Sequence, residues 1–387
     1  MCAAAGMRPL RALALLALAA ILLLPMACAR EVPGTGFPGA GDPEIQAILR
    51  EVASRHQVVG LGAGIVRPAG DAATAVVGWS RAGGATRIGL DDLWHIGSCT
   101  KAMTATLAAK LVEEGTLSWQ TTVGEVFPEL ASTLGGTKRG ITLEQLLSHR
   151  AGLPREYGHS PFLLLRSPTG QRLSVLRQLP STELVAEPGV RYSYSNFGYS
   201  VIGAMVERRA GRPFEDVVRT RLFAPLQMTR TEYEGDHVFG RGGVIWSHRP
   251  DGTPVGRWFR PVNDTGALHP AGSVRASLGD WARFLRHHLV GEAGGSDYLR
   301  ADTYRELHRS RGEEYALGWA VFERDWGGGT VLQHAGSNGW NYSLVWVAPR
   351  KGFAVFSCVN QGDRRKVLDE ITDRLLALVA RRYPPTG

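Results

Sequence analysis

His95-Ile96-Gly97-Ser98-Cys99-Thr100-Lys101-Ala102-Met103-Thr104 places a serine three residues ahead of a lysine at the start of a helical pattern. Apolar residues recur at Met103, Leu107 and Leu111, with Ala108 and Val112 beside them, until Gly115 ends the run. That is 3.6-residue periodicity closed by a helix-stopping glycine. Positions three apart share a helix face, so Ser98 Oγ and Lys101 Nζ can meet. A serine hydroxyl needs a neighbour to take its proton, and burial disfavours a charged lysine, which suits Lys101 to that task. Cys99 does not fit the nucleophile's place, because it points about a hundred degrees around the helix from Ser98. Ser-x-x-Lys fixes only two identities in four residues, so the assignment depends on what the rest of the chain adds.

The chain has 387 residues, 44% hydrophobic and 21% charged, with a formal net charge of +8. These values fit an ordinary globular protein of one large or two moderate domains and exclude a disordered one. Arg8 and Arg11 precede an uncharged apolar run, Ala12 to Ala29, that ends in Ala27-Cys28-Ala29. Basic flank, apolar core and small-x-small ending read as a signal peptide over residues 1–29. Two alternatives stay open: a lipid on Cys28, against which Pro25 counts, and a retained membrane anchor. Each puts the globular part outside the cytoplasm, periplasmic or secreted. Cleavage leaves Cys99 and Cys358, too few for a disulfide framework, and two separate buried thiols is the preferred reading over one bridge. No basic cluster with interleaved aromatics suggests nucleic acid.

Residues 30–42 are Gly/Pro-rich and read as a linker. Pro43 to His56 has helical periodicity, and strands are expected at Gly60 to Val66 and Ala73 to Trp79. Gly60, Gly62 and Gly64 miss the dinucleotide fingerprint, whose third glycine position falls on Ile65. Gly78-Trp79-Ser80-Arg81-Ala82 misses a nucleophile elbow, since it leads into Gly83-Gly84 and not into a helix. Helices follow at Leu143 to His149, where Thr142 and Gln145 form a capping box, then at Asn196 to Gly211, Pro213 to Arg221 and Asp280 to Leu289. His149 reads as structural, and His287-His288 has no metal-ligand spacing, so neither a metal nor another cofactor is expected. From Tyr315 the period changes to two, with strands at Leu317 to Phe322, Thr330 to His334, Ser343 to Val347 and Phe353 to Val359. Their short connections force antiparallel neighbours. An amphipathic helix from Arg364 to Arg381 closes the chain.

The expected fold is therefore α/β of the α+β type: an antiparallel sheet flanked by helices, built from both ends of the chain, with a helical domain inserted. Residues 43–97 and 235–387 form the two parts of the α/β domain, and 98–234 the mainly helical one.

Two further motifs stand in order after Ser98: Tyr194-Ser195-Asn196 ahead of a helix, and His334-Ala335-Gly336-Ser337 at the end of a strand. Serine, lysine, tyrosine, an amide and a strand-borne histidine supply a nucleophile, bases, an orienting group and an edge for substrate, the parts of acyl transfer. The loop Leu146-Leu147-Ser148-His149-Arg150-Ala151-Gly152-Leu153-Pro154 separates the first two motifs. With Pro225-Leu226-Gln227-Met228 and Ala271-Gly272-Ser273, this order resembles the serine β-lactamase and penicillin-binding protein superfamily, in its class C-like branch, which also holds esterases and D-aminopeptidases. The resemblance covers nearly the whole chain after residue 29.

The resemblance implies a β-lactamase/transpeptidase-like fold with the site between an α/β part and a helical part. It also implies Ser98 as the acylated nucleophile, Lys101 as the group that takes or relays its proton, and Tyr194 as partner base and activator of the deacylating water. Asn196 would hold substrate or Lys101, with His334, Gly336 and Ser337 on the substrate-binding strand. The backbone N–H groups of Ser98 and Ser337 would form the oxyanion hole.

One departure matters. Many members carry Lys-Thr-Gly on this strand, where this chain has His334-Ala335-Gly336. An unperturbed imidazole, pKa about 6.5, is mostly neutral at neutral pH and gains charge toward pH 6. The expectation is therefore an exported serine hydrolase acting through a Ser98 acyl-enzyme on small-molecule esters or amides lacking a carboxylate beside the scissile bond. β-Lactamase, D-aminopeptidase or DD-carboxypeptidase activity on peptides is the first alternative, and a non-catalytic envelope binding protein the second.

Overall fold

The computed structural model describes residues 37–158, 167–233, 243, 245–255 and 266–384. The leader expected at 1–29, its Cys28, and the 234/235 boundary lie outside the described residues. No helix among the described residues is long and apolar enough to cross a membrane.

Strand β1 (Gly39–Gly41) falls inside the stretch read as a linker, where it pairs antiparallel with β3. Helix α1 follows at Pro43–His56; Asp42 caps it by accepting from the backbone N–H of Glu44 and Ile45, satisfying donors that have no partner within the helix. Then come β2 (Gly60–Val66), β3 (Ala73–Gly78) and β4 (Trp94–His95). Helix α2 (Thr100–Glu113) is entered through a single 3₁₀ turn, Gly97–Cys99. Later strands are β5 (Thr231–Tyr233), β6 (Val274–Ala276), β7 (Ala320–Arg324), β8 (Gly329–Ser337), β9 (Tyr342–Ala348) and β10 (Phe353–Val359).

Seven strands form one antiparallel sheet in the order β1-β3-β2-β10-β9-β8-β7. Chain ends meet at its centre, where β2 from the beginning pairs with β10 from the end, Gly62 opposite Cys358. Both strands are buried along their whole length, so the sheet is covered on two faces. Leu61, Ala63, Ile65 and Val355 pack under α1 and the closing helix Arg365–Arg382 through Leu49, Val52, Ile371 and Leu375. The alternate residues Phe356 and Cys358 face the opposite way into the larger core, with Trp94, Trp281 and the apolar residues of α2. That core runs from the sheet into the helical part of the chain.

A second sheet, β4-β6-β5, has no counterpart among the sequence expectations. Its strands are two or three residues long, too short for a period to register, and β5 lies within the stretch expected to be mainly helical. The sheet sets the approach to Ser98: Trp94 and His95 pair with Ala276 and Arg275, and Ile96 N–H donates to the Val274 carbonyl at 3.0 Å.

In the helical part, the Arg172 guanidinium is fully buried between two carboxylates, 2.6 Å from Glu207 Oε1 and 2.7 Å from Glu215 Oε1. Glu215 also pairs with His269 Nδ1 at 2.6 Å. Burial alone would raise the Glu215 carboxyl, but its hydrogen bond with His269 and the Arg172 charge outweigh that and bring it down to about 2. This network anchors the segment His269–Ala271, whose backbone carbonyls reach α2: Pro270 O accepts from Thr104 Oγ1 at 2.7 Å and Ala271 O from Lys101 Nζ at 2.6 Å.

Removing one member of a buried ion pair strands the other's charge, typically costing about 3–5 kcal/mol. Arg172→Leu is expected to lower stability by about that much in urea unfolding. Because Glu215 titrates below its unfolded value of 4.5, its contribution is complete above that value and is lost as pH falls toward 2. Unfolding midpoints followed from pH 6 to pH 3 check this: the wild type loses more stability over that range than Glu215→Gln.

Candidate functional site

Ser98 occupies the middle of the 3₁₀ turn between β4 and α2. The turn is tight because Gly97 takes a left-handed backbone, φ +51°, which costs glycine little. Strand β8 passes so close that a Cβ on Gly97 would lie 2.4 Å from Ser337 N, and one on Gly336 2.0 Å from Ile96 O and 2.8 Å from Ser98 N. Two glycines therefore bring the backbone of Ser98 and that of Ser337 side by side. Ser343 on β9 ties the turn down by donating to Ile96 O at 2.6 Å.

Four of the expected side chains meet. Lys101 Nζ lies 3.2 Å from Ser98 Oγ, 2.8 Å from Asn196 Oδ1 and 2.6 Å from Ala271 O. Tyr194 OH donates to Ser98 Oγ at 2.8 Å. Lys101 is fully buried, and among the described residues no carboxylate reaches it within 4 Å. Burial holds its pKa well below the usual lysine value. A neutral amine has two N–H groups and one lone pair. In that form the two shortest contacts, to Ala271 and Asn196, would take the N–H groups and leave the lone pair for the Ser98 hydroxyl. Burial likewise raises the Tyr194 phenol above its ordinary value, so it stands protonated as the donor to Ser98.

His334 lies on β8 as expected, but it is buried. Nδ1 is 2.9 Å from the Ala335 carbonyl, which makes it the N–H end, and Nε2 accepts from Tyr315 OH at 3.1 Å. Burial, then the nearby Lys101, push its pKa down to about 3. The expectation that it charges toward pH 6 is thereby corrected: this imidazole stays neutral through that range. Ser337, at the end of the strand, is exposed.

The loop after the helix Leu143–Leu147 clamps Tyr194-Ser195-Asn196. Ser193 N–H donates to His149 O at 2.7 Å, Ser195 N–H to His149 Nδ1 at 3.0 Å, Ser195 Oγ to Pro154 O at 2.7 Å and Asn196 N–H to Arg155 O at 2.8 Å. The helix was expected to run through His149, which instead adopts φ +58° and sets its ring 4.3 Å from that of Tyr194. With Nδ1 accepting and burial lowering its pKa well below the usual value, His149 is a neutral support. Sequence reasoning missed Arg155, Glu156 and Tyr315 at this site. Glu156 Oε1 accepts from Asn196 Nδ2 at 2.7 Å; the one signal for it was its place just past the quoted loop.

Cys99 and Cys358 are separate buried thiols. Cys99 Sγ is 3.3 Å from Ser343 Oγ, and burial pushes the thiol up to about 12, far from a reactive thiolate. Among the described residues no group of three or more His, Cys, Asp or Glu could hold a metal ion.

The chain matches the family model described as Beta-lactamase over residues 45–379. It is 28% identical over 316 residues to penicillin-binding protein 4 of Amycolatopsis lactamdurans, covering 75% of this chain and 78% of that protein. It is 24% identical over 303 residues to the D-alanyl-D-alanine-carboxypeptidase/endopeptidase AmpH of Escherichia coli, covering 73% of this chain and 75% of that one. In fold it is similar to the D-alanine carboxypeptidase AmpC of Burkholderia cenocepacia, with a TM-score of 0.68 and 22% identity over 85% of this chain and 97% of the other. The seven-stranded antiparallel sheet with its helices is thus the fold of β-lactamases and penicillin-binding proteins, and the chain belongs to the beta-lactamase family of serine hydrolases.

Proposed function

We propose that this protein is exported and cleaves ester or amide bonds through an acyl-enzyme on Ser98. The observation that carries the reading is the pair of contacts on one oxygen: Ser98 Oγ faces the Lys101 amine at 3.2 Å and accepts from the Tyr194 phenol at 2.8 Å. Ser98 Oγ attacks the substrate carbonyl carbon while its proton passes to Lys101 Nζ. The backbone N–H groups of Ser98 and Ser337 receive the oxyanion. As the tetrahedral state collapses, the bond to the leaving atom breaks, and that atom takes the Tyr194 proton. The phenolate, now beside the Lys101 ammonium, draws a proton from water that attacks the acyl-enzyme; Lys101 returns its proton to Ser98. All groups end as they began. Export rests on the residue 1–29 leader pattern.

A neutral His334 leaves β8 without the cation that a substrate carboxylate would seek, which favours substrates lacking one. A second reading, a carboxypeptidase on D-alanyl peptides, is favoured by what the relatives' names say of them and by exposed Arg155 near the site, its Cζ 4.9 Å over the Tyr194 ring.

Ser98→Ala is expected to fold and lose the mass adduct of a fluorophosphonate; labelling at the wild-type rate would misplace the nucleophile. Lys101 works neutral, so kcat/KM rises with pH through a Lys101 pKa lying well below 10.5, and activity is lost on acidification. A profile that rises only above pH 10 contradicts this. Lys101→Met removes the proton transfer, typically about a hundred- to ten-thousandfold.

Gly336→Ala tests the backbone approach. Its Cβ would drive β8 away from Ser98, so acylation is expected to fall about a hundredfold or more while circular dichroism stays that of the wild type.

Substrate choice separates the two readings. Wild type is expected to show higher kcat/KM for p-nitrophenyl butyrate than for a chromogenic cephalosporin. With His334 titrating at about 3, the ratio should not narrow between pH 8 and pH 6 through any charge gained there. A wild-type preference for a D-alanyl-D-alanine peptide selects the second reading, and a preference for the cephalosporin overturns the first in favour of a β-lactamase.

A further inference from the structure

Arg155 and Glu156 follow the clamp loop and belong to none of the three motifs. Glu156 Oε1 accepts from Asn196 Nδ2 at 2.7 Å, and Asn196 Oδ1 accepts from Lys101 Nζ at 2.8 Å. A carboxamide has one accepting end and one donating end. Flipped, Asn196 would set two acceptors together at Glu156 and two sets of N–H groups together at Lys101. The carboxylate at the outer end therefore decides which end of the amide meets the amine. Arg155 stands beside it, its Nε 3.6 Å from Glu156 Oε1. The Arg155 and Glu156 side chains are 70% and 46% exposed, so the pair sits where the buried site opens to solvent.

We infer that Glu156 and Arg155 are a positioning pair for Lys101: Glu156 fixes the Asn196 amide with its oxygen toward the amine, and the two side chains place opposite charges close enough to bias the amine's proton. This rests on Lys101 serving as the base for Ser98. After burial, which dominates, Glu156 favours the ammonium form of Lys101 and Arg155 opposes it. The other titratable groups around the amine carry no charge at working pH. His149 and His334 are neutral, and burial keeps the thiol of Cys99 and the phenols of Tyr194 and Tyr199 protonated. Among the described residues, the two rim side chains are the charges that set the balance.

The two charges predict opposite shifts from adjacent residues, a result that general loosening of the loop would not give. The second-order rate of fluorophosphonate labelling at Ser98 is measured from pH 5 to pH 10 for wild type, Glu156→Gln, Glu156→Leu and Arg155→Gln. Glu156→Gln keeps an acceptor for Asn196 and removes the charge. Its acidic limb is expected to move to lower pH by roughly one unit, as for a partly screened charge two hydrogen bonds away, with a plateau close to that of wild type. Arg155→Gln is expected to move the limb to higher pH, by less because its side chain is more exposed. Glu156→Leu also frees the amide, and its plateau is expected to fall about tenfold, the size of one lost hydrogen bond to a charged group. Limbs that stay in place in both single-charge variants, or that move in the same direction, overturn the inference. If wild type carries no label on Ser98, the proposed function itself fails; label on Ser98 with unmoved limbs rejects only the positioning pair.

Discussion

A lysine amine buried without a carboxylate is the constraint on which this structure turns. Burial disfavours an isolated charge in such a place and holds the Lys101 pKa well below the usual lysine value. Once neutral, Lys101 has two N–H groups to satisfy, and they are met by Ala271 O and Asn196 Oδ1. Each acceptor is held from further out. The Ala271 carbonyl belongs to a segment anchored through His269 to the pair of Glu215 with the fully buried Arg172. The Asn196 amide is oriented by Glu156 at its far end and clamped at its backbone by Arg155. The charges kept out of the Ser98–Lys101 cluster thus reappear one layer away, where they are paired and hold the acceptors of the amine in place.

A second constraint is steric. The turn that carries Ser98 lies against the edge of β8 closely enough that the backbones of Ser98 and Ser337 run side by side. Side chains at 97 or 336 would hold these segments apart. The antiparallel sheet keeps β8 in place through β9, whose Ser343 also secures Ile96. The small sheet fixes the other approach by pairing β4 with β6 just before Gly97. Ser98 sits where these two sheets and α2 converge, so its position is determined from three directions.

What could be read in the sequence and what could not divides along the same lines. Gly60–Val66, Phe353–Val359 and Pro43–His56 emerge with the boundaries expected of them, because an apolar period and an Asp or Pro cap are local signals. The strand expected at Leu317 begins instead at Ala320, and β4, β5 and β6 are too short for any period. At the site, Ser98, Lys101, Tyr194 and Asn196 lie in motifs whose spacing carries their chemistry. Arg172, Glu215 and His269 do not: the partners are 43 and 54 residues apart, and nothing local marks them as pairs. Tyr315 and the His334 ring it bonds are likewise brought together only by the fold. The neutrality of His334 is clearer in the structure than in the sequence, since its cause is burial.

That neutrality bears on Lys101, the proposed base. A lysine in place of His334 would be a second cation close enough to act on Lys101, just as Lys101 already pushes the His334 imidazole down. Two ammonium groups in one buried cleft favour losing a proton from one of them. With an imidazole that stays uncharged, held by Tyr315 and the Ala335 carbonyl, no such pressure comes from β8. Burial then supplies most of the depression of Lys101, and the remainder lies with two exposed side chains at the rim, Arg155 opposing Glu156. An exposed pair is screened by solvent and acts weakly at a distance, so it can trim the base without overriding the burial that makes it one. The same exchange leaves the strand free of fixed charge, and the nearest cation, Arg155, stands exposed over the Tyr194 ring.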